Sequence, residues 1–328
     1  MSKPQTAHLT FANNTQAQAL FGPHGAHLAQ IEKALDVTIT ARGAEVDIEG
    51  EASAVETTER VLLALYERLE RGAEVSVDEV AAALRMANGP RGSTGDMNLE
   101  VRTKKRVISP RTSTQADYLR AIDKNELVFG FGPAGTGKTY LAVAKAVERL
   151  INGDVDRIIL SRPAVEAGEQ LGFLPGDMKE KVDPYLRPLY DALHDMMPGD
   201  QVVKRMEAGD IEVAPLAFMR GRTLANAFVI LDEAQNTTAV QMKMFLTRLG
   251  ENSRMVVTGD LSQVDLPRGT RSGLRDAHEI LDGVKGVSFM EFTARDVVRH
   301  KIVTRIVEAY DKAEVKRRAS APYEHADE

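Results

Sequence analysis

Short apolar runs alternate with helical patterns of apolar residues between residues 115 and 312. Short apolar runs are typical of buried strands, and apolar residues spaced three and four positions apart indicate helices. Strands that alternate with helices predict crossover connections and a mostly parallel sheet, so the predicted fold class is α/β. The predicted strands span residues 127–131, 157–161, 211–214, 228–231, 255–258 and 287–292. Because ligands bind at the carboxyl ends of the strands in such sheets, we expect the functional residues there.

A different pattern occupies residues 7–86, which we interpret as a small α+β domain. The spacing predicts a helix at 26–35, two alternating strands at 37–41 and 45–49, and an amphipathic helix at 55–69. The chain is therefore expected to contain two domains of different size, the larger one at residues 115–312.

A linker is predicted between the two domains at residues 87–114, because turn-forming residues are concentrated at its start. A basic segment follows, with Arg102, Lys104, Lys105, Arg106 and Arg111. This segment either contacts RNA or is a charged linker, and the sequence leaves both interpretations open. Residues 313–328 are predicted to form a polar tail.

Composition narrows the possible classes of protein. The net charge of −6 means that a nucleic-acid partner requires a local basic patch. The absence of cysteine excludes disulfides and thiolate zinc sites. The N-terminus lacks the apolar region of a signal peptide, and no apolar run approaches the ~20 residues of a membrane span. We therefore expect a cytoplasmic protein that does not cross a membrane.

A phosphate-binding loop lies between the strand predicted at 127–131 and the helix predicted after it. Its residues are Gly132, Pro133, Ala134, Gly135, Thr136, Gly137, Lys138 and Thr139, and Tyr140 follows as a further nucleotide-binding candidate. The glycines let backbone N–H groups approach phosphates at the helix N-terminus. Lys138 is expected to bind the β- and γ-phosphates of ATP, and Thr139 is expected to ligate Mg²⁺.

Three further positions are predicted to complete the nucleotide site. Asp232 and Glu233 end a predicted strand, where Asp232 can help to hold Mg²⁺ and Glu233 can activate water; the alternative is that they cap the next helix. Gln263 follows the strand at 255–258 and is a candidate sensor of the γ-phosphate, unless this segment is a plain Asx-type turn. Gln115 is a candidate reader of the adenine base, with a surface helix residue as the alternative.

Together these motifs resemble the PhoH family of P-loop ATPases, which is similar to a single RecA-like core of superfamily 1 helicases. The resemblance covers residues 114–310, with 132–139 as its Walker A, 231–236 as its Walker B and 258–263 as a third helicase-type motif. Residues 161–169 resemble helicase motif Ia. By this resemblance Ser161 and Arg162 are candidates for contacting an RNA backbone, although Arg162 is equally suited to a salt bridge with a nearby acid.

The resemblance also has implications for assembly. About 65 residues follow Gln263, too few for the second RecA-like domain that a motor needs. The family resemblance implies a homo-oligomeric ring, with a hexamer as the expected form, in which a neighbour's arginine completes the site. The candidates are Arg271, Arg295 and Arg299, of which Arg299 is our choice; the alternative is a solvated basic helix face.

The small domain resembles a KH-type RNA-binding module. Gly22-Pro23-His24-Gly25 matches the Gly-x-x-Gly loop that clamps a nucleic-acid backbone, so Gly22 and Gly25 are candidate RNA contacts. Pro23 and His24 occupy the positions where such loops commonly carry Lys or Arg, which leaves little positive charge for phosphate. The alternative is a degenerate module that makes subunit contacts.

The function predicted from these observations is a Mg²⁺-dependent ATPase coupled to the binding or remodelling of RNA, with an endoribonuclease as a possible protein partner. Two alternatives stay open. One is a nucleotide-switched RNA-binding adaptor that hydrolyses ATP slowly. The other is a small-molecule P-loop kinase, which the water-activating position of Glu233 disfavours.

Overall fold

The computed structural model of the protein describes residues 5–87, 99–163, 178–267 and 269–298, together with residues 302 and 306, and for 178–185 the backbone only. Arg299 and the predicted tail at 313–328 lie outside the described residues.

The N-terminal part of the chain is an antiparallel three-stranded sheet with helices packed on it. Its strands follow the spatial order β1-β3-β2, and the α3 helix packs against β1 and β3. The elements are β1 (Gln5–Thr10), α1 (Asn14–Phe21), α2 (Ala26–Leu35), β2 (Thr38–Arg42), β3 (Glu45–Gly50), α3 (Ala52–Glu70) and α4 (Val77–Ala87). The predicted helices and strands of this part agree with α2, β2, β3 and α3 to within three residues at each end. The small α+β fold is therefore confirmed.

The β1 strand is absent from the sequence prediction, although it pairs with β3 along its whole length. Its residues alternate between exposed and half-buried positions, so neither face of the strand is strongly apolar. A strand of this kind lacks the contrast between apolar and polar positions on which the prediction depends.

The larger part of the chain is a three-layer α/β structure, as predicted. Six parallel strands follow the order β11-β6-β10-β9-β7-β8, and all six agree with the predicted strands to within one residue at each end. The strands are β6 (Leu127–Phe131), β7 (Arg157–Arg162), β8 (Ile211–Pro215), β9 (Ala227–Leu231), β10 (Arg254–Gly259) and β11 (Val287–Glu291). The helices are α5 (Ser113–Lys124), α6 (Lys138–Asn152), α7 (Met178–Met196), α8 (Gly199–Ala208), α9 (Ala239–Leu246) and α10 (Gly273–Leu281).

Both faces of the central strands are buried. Val128 of β6 belongs to the core under α5, α6 and α7, and its neighbour Phe129 belongs to the core under α9 and α10. Burial on both faces explains why these strands are continuous apolar runs in the sequence. Within the described part of the chain, no helix has the length and apolarity that crossing a membrane requires.

The segment that joins the two parts is structured at residues 99–112. A short hairpin pairs β4 (Val101–Arg102) with β5 (Val107–Ile108). Basic side chains of the hairpin bind groups on α7: Arg106 forms an ion pair with Asp195 at 2.7 Å, and the Lys105 ammonium donates to the carbonyl oxygen of His194 at 2.8 Å. These two side chains are thus engaged within the protein.

Candidate active site

The phosphate-binding loop connects the carboxyl end of β6 to the first turn of α6. Gly132, Gly135 and Gly137 have φ angles of 136°, 82° and 84°, in a region that residues with a side chain rarely adopt. A Cβ atom on Gly132 would lie 2.2 Å from the carbonyl oxygen of Phe292, which follows β11. The loop conformation therefore depends on glycine at these positions, and it leaves the start of α6 open to an anion.

Lys138 places a positive charge inside the loop. Its Nζ donates to the carbonyl oxygens of Gly132 at 2.7 Å and Pro133 at 2.8 Å, and it lies 3.3 Å from the Thr136 hydroxyl. The side chain is buried, so its charge is less screened than that of a surface lysine. This arrangement suits a phosphate group bound in the loop.

A cluster of oxygen atoms lies beside the loop where a divalent cation is expected. The hydroxyls of Thr139 and Thr258 both donate to Oδ1 of Asp232, at 2.6 and 2.8 Å. Asp232 is only 6% exposed, and the three residues come from α6, β10 and the end of β9. Hydroxyl and carboxylate oxygens are the donors that Mg²⁺ prefers, so the cluster fits this ion.

Glu233 follows Asp232 with a left-handed backbone, at a φ of 52°. Its Oε1 lies 3.3 Å from Nη2 of Arg162, and its Oε2 accepts a hydrogen bond from Nε2 of Gln235 at 2.6 Å. The salt bridge that the sequence offered as an alternative role for Arg162 is thus present. Neither carboxylate caps a following helix: Glu233 makes no capping bond, and Thr238 caps α9.

Gln235 joins the second and third motifs. Its Oε1 accepts from the backbone N–H of Asp260 at 3.0 Å, and its Nε2 also donates to the carbonyl oxygen of Gln263 at 3.2 Å. Asp260 forms an Asx-type turn with Ser262, so this alternative for the segment is also present. The exposed side chain of Gln263 still borders the cavity, of about 250 Å³, that Lys138 lines.

One further atom supports a ligand in this cavity. Oδ2 of Asp260 is buried and makes no hydrogen bond to any described residue. Asp260 lines the same cavity as Thr139 and Asp232. A buried carboxylate oxygen without a partner is costly, and a water molecule in the coordination shell of a bound cation would provide the missing hydrogen bond.

Gln115 supports the phosphate-binding loop. Its Nε2 donates to the carbonyl oxygen of Thr136 at 2.9 Å, and its Oε1 accepts from the backbone N–H of Arg111 at 2.7 Å. It is buried, so the alternative of a surface helix residue is wrong. Its amide, predicted to read adenine, is used for backbone contacts in this structure.

A second cavity, of about 300 Å³, lies beside Gln115 on the side of the loop away from Asp232. Tyr140 lines it, and the Tyr140 hydroxyl donates to Oδ2 of Asp195 at 2.7 Å. Burial, together with this hydrogen bond, raises the pKa of Tyr140, which keeps the phenol protonated. Glu79 of the small N-terminal part also lines this cavity. The sequence analysis does not predict this contact between the small part and the cavity.

The remaining residues that the sequence predicts to be functional lie away from the cavity or contact other protein groups. Ser161 is fully buried, so its hydroxyl does not reach the surface. Gly22 packs against the ring of His27, which a Cβ would approach to 2.6 Å, and Gly25 is the N-cap residue of α2. Arg271 is paired with Glu279. Arg295 is exposed next to the described end of the chain.

Comparison with known proteins identifies a family and relatives for this chain. The sequence model of the PhoH-like protein family matches residues 107–311. A PhoH-like protein of Bacillus subtilis is 52% identical over 304 residues, which cover 92% of this chain and 95% of that protein. A PhoH-like protein of Mycobacterium tuberculosis is 51% identical over 298 residues, with 90% and 85% covered. Among solved structures, the Sulfolobus solfataricus SWI2/SNF2 ATPase core in complex with dsDNA is similar over 60% of this chain and 46% of that chain, with 14% identity and a TM-score of 0.37.

Proposed function

This chain belongs to the PhoH-like protein family, and we propose that it is a Mg²⁺-dependent ATPase whose hydrolysis is coupled to RNA. One observation carries the proposal. The Thr139 and Thr258 hydroxyls meet a single oxygen of Asp232 beside the buried Lys138, while Glu233 lies at the edge of the same cavity. A phosphate cradle, a cation site and a second carboxylate in one cavity are the parts that hydrolysis of a nucleoside triphosphate needs.

Each residue of the proposed site has a distinct role in the reaction. Lys138 and the backbone N–H groups at the start of α6 bind and orient the phosphates. Thr139 and Asp232 would hold Mg²⁺, which when bound neutralises charge on the phosphate oxygens. Thr258 fixes the orientation of the Asp232 carboxylate through its hydrogen bond at 2.8 Å.

Glu233 is the candidate for orienting the attacking water and accepting its proton. It lies beyond the carboxyl end of β9 next to Asp232, and the two carboxylates have different partners: Asp232 binds the Thr139 and Thr258 hydroxyls, and Glu233 binds Arg162 and Gln235. Gln263 borders the same cavity and can contact the terminal phosphate. A carboxylate positioned for water favours hydrolysis over transfer of phosphate to a metabolite.

The coupling to RNA rests on two features of the described residues. Arg162 lies at the rim of the site and is 21% exposed. The small N-terminal part has the Gly-x-x-Gly loop, in which Gly25 is the N-cap residue of α2 and an added Cβ would meet nothing within 4 Å. Guanidinium groups and helix N-termini both bind phosphodiester groups.

A second candidate function is a nucleotide-switched RNA-binding adaptor with slow hydrolysis. The observation in its favour is that both carboxylate oxygens of Glu233 are bonded to protein groups, which compete with water for the same oxygens.

The test is ATP turnover by the purified full chain with Mg²⁺, with and without a single-stranded RNA oligonucleotide. Lys138→Ala serves as the blank, and Glu233→Gln should bind ATP but not hydrolyse it. Turnover that RNA stimulates and that both substitutions abolish is the expected result. Turnover that ignores RNA would overturn the coupling, and turnover that survives Lys138→Ala would overturn the proposed site. ATP binding with only slow hydrolysis would favour the adaptor.

A further inference from the structure

Both oxygens of the Glu233 carboxylate contact other side chains of the protein. Oε1 pairs with Nη2 of Arg162 at 3.3 Å, and Oε2 accepts from the Gln235 amide at 2.6 Å. The proposed role of Glu233 requires a carboxylate oxygen that can accept a proton from water. In this arrangement Oε2 accepts a hydrogen bond and Oε1 is ion-paired, so water has to compete with a cation for the carboxylate.

The contact between Arg162 and Glu233 follows from the sheet. Strands β7 and β9 are parallel neighbours in which Ser161 pairs with Leu231, and the backbone N–H of Asp232 donates to the Ser161 carbonyl at 2.9 Å. Arg162 is the last residue of β7, and Glu233 lies two residues beyond the end of the adjacent β9. The backbone fixes their proximity, so only side-chain movement is needed to make or break the pair.

The pair faces a cleft that is open to solvent. The cleft has a volume of about 790 Å³, and Thr139, Asp191 and Asp232 also line it. The Arg162 side chain is 21% exposed and that of Glu233 is 36% exposed. An ion pair with this exposure is held weakly, because solvent screens it. An anion outside the cleft can therefore compete for the arginine.

We propose that Arg162 is a positioning residue that holds Glu233 in a poorly active arrangement until an RNA phosphodiester takes the arginine. Guanidinium binds phosphate through two parallel hydrogen bonds, so the exchange replaces one charged partner with another. The acidic walls of the cleft repel the RNA, and the contact therefore forms at the rim, with Arg162 turned outward. Glu233 is then free to face water. This inference rests on the proposed ATPase function.

The first arm of the test measures ATP turnover of Arg162→Gln with and without single-stranded RNA. We expect basal kcat to rise about two- to fivefold, with KM for ATP unchanged, because a partly exposed pair shifts the equilibrium modestly. The further stimulation by RNA should be lost. Arg157→Gln is the matched control, since it makes the same change at the other end of β7. A basal kcat that is unchanged or lower in Arg162→Gln would overturn the proposal.

The second arm does not depend on hydrolysis and measures RNA affinity by fluorescence anisotropy. If Glu233 and RNA compete for Arg162, then Glu233→Gln should bind RNA about two- to fivefold more tightly, by reciprocity. Arg162→Gln should bind RNA more weakly, and the double variant should match Arg162→Gln. Asp191→Asn removes a carboxylate from the same cleft and controls for general charge.

The two arms separate the possible failures. Equal RNA affinity of Glu233→Gln and Asp191→Asn would overturn the competition for Arg162, whatever the turnover shows. Absence of any turnover that depends on Lys138 would overturn the ATPase function, while the affinities of the Glu233→Gln and Arg162→Gln variants would still decide whether the carboxylate and RNA compete.

Discussion

At the scale of single residues, the Thr258 hydroxyl has the clearest predicted effect. It is fully buried and donates to the same Asp232 oxygen as Thr139, so it orients the proposed magnesium ligand. Thr258→Val keeps the shape of the side chain and removes this bond. A lost hydrogen bond to a charged group corresponds to about 1.5–3 kcal/mol, or roughly tenfold or more in an equilibrium. We expect the Mg²⁺ concentration for half-maximal turnover to rise about tenfold.

The control is Thr247→Val, because the Thr247 hydroxyl donates to carbonyl oxygens of α9 and accepts from the Arg248 guanidinium, and neither contact involves the residues proposed to hold Mg²⁺. Titration of ATPase activity with MgCl₂ measures the effect. If Thr258→Val and Thr247→Val had the same Mg²⁺ dependence, the second hydroxyl would have no part in holding the cation ligand.

The roles of single residues differ in how far the sequence predicts them. Lys138, Thr139 and Asp232 lie where their motifs place them, because each motif is a local feature of a loop or a strand end. The role of Thr258 depends on β10 lying next to β9, which is a property of the sheet order. The use of Gln115 for backbone contacts likewise depends on the neighbouring loop. The spacing of residues along the chain therefore predicts neither contact.

At the scale of elements, the approach of the phosphate-binding loop to the end of β11 predicts different costs for two glycine substitutions. Gly132 and Gly153 flank α6, and both have positive φ. Gly153→Ala meets nothing within 4 Å, so only the conformational cost of about 1–2 kcal/mol is expected. Gly132→Ala places a Cβ atom 2.2 Å from a backbone oxygen, which raises the expected loss of unfolding free energy to about 2–4 kcal/mol.

Urea denaturation of the two variants measures this difference, and ATP binding supplies a second readout. Gly132→Ala should also lose ATP affinity, because the loop must move to relieve the clash, whereas Gly153→Ala should bind ATP as the wild type does. Equal losses of stability would mean that the contact between the loop and the end of β11 is easily relaxed.

The elements themselves were predicted to different degrees. The six strands of the larger sheet are buried and therefore apolar, so their bounds were found to within a residue at each end. The β1 strand was missed because its burial alternates only weakly. The hairpin at residues 101–108 is two residues per strand, too short to produce any periodicity. The elements that the sequence predicts well are therefore those whose side chains are strongly buried.

At the scale of the whole molecule, the small N-terminal part lines the cavity beside the phosphate-binding loop. The guanidinium of Arg68 is buried, forms an ion pair with Glu79 at 3.1 Å and donates to the Ser109 hydroxyl at 2.7 Å. Glu79 and Ser109 both line the cavity beside Gln115, where we expect the nucleotide base. The sequence predicted two domains joined by a linker and gave no sign of this contact, because it joins residues 41 positions apart.

We therefore expect Arg68→Lys to weaken ATP binding from a distance. A lysine retains the charge but lacks the planar fork that reaches Glu79 and Ser109 together. KM for ATP should rise about threefold with kcat unchanged, since a lost hydrogen bond of about 0.5–1.5 kcal/mol loosens the cavity wall and leaves the phosphate site intact. Arg71→Lys, at the exposed end of the same helix, is the matched control. Steady-state kinetics of both variants decide the question. Identical KM values would show that the small part folds beside the proposed nucleotide site without affecting nucleotide affinity. A rise in KM for Arg68→Lys alone would show that ligand binding to the small part and nucleotide affinity can be thermodynamically linked.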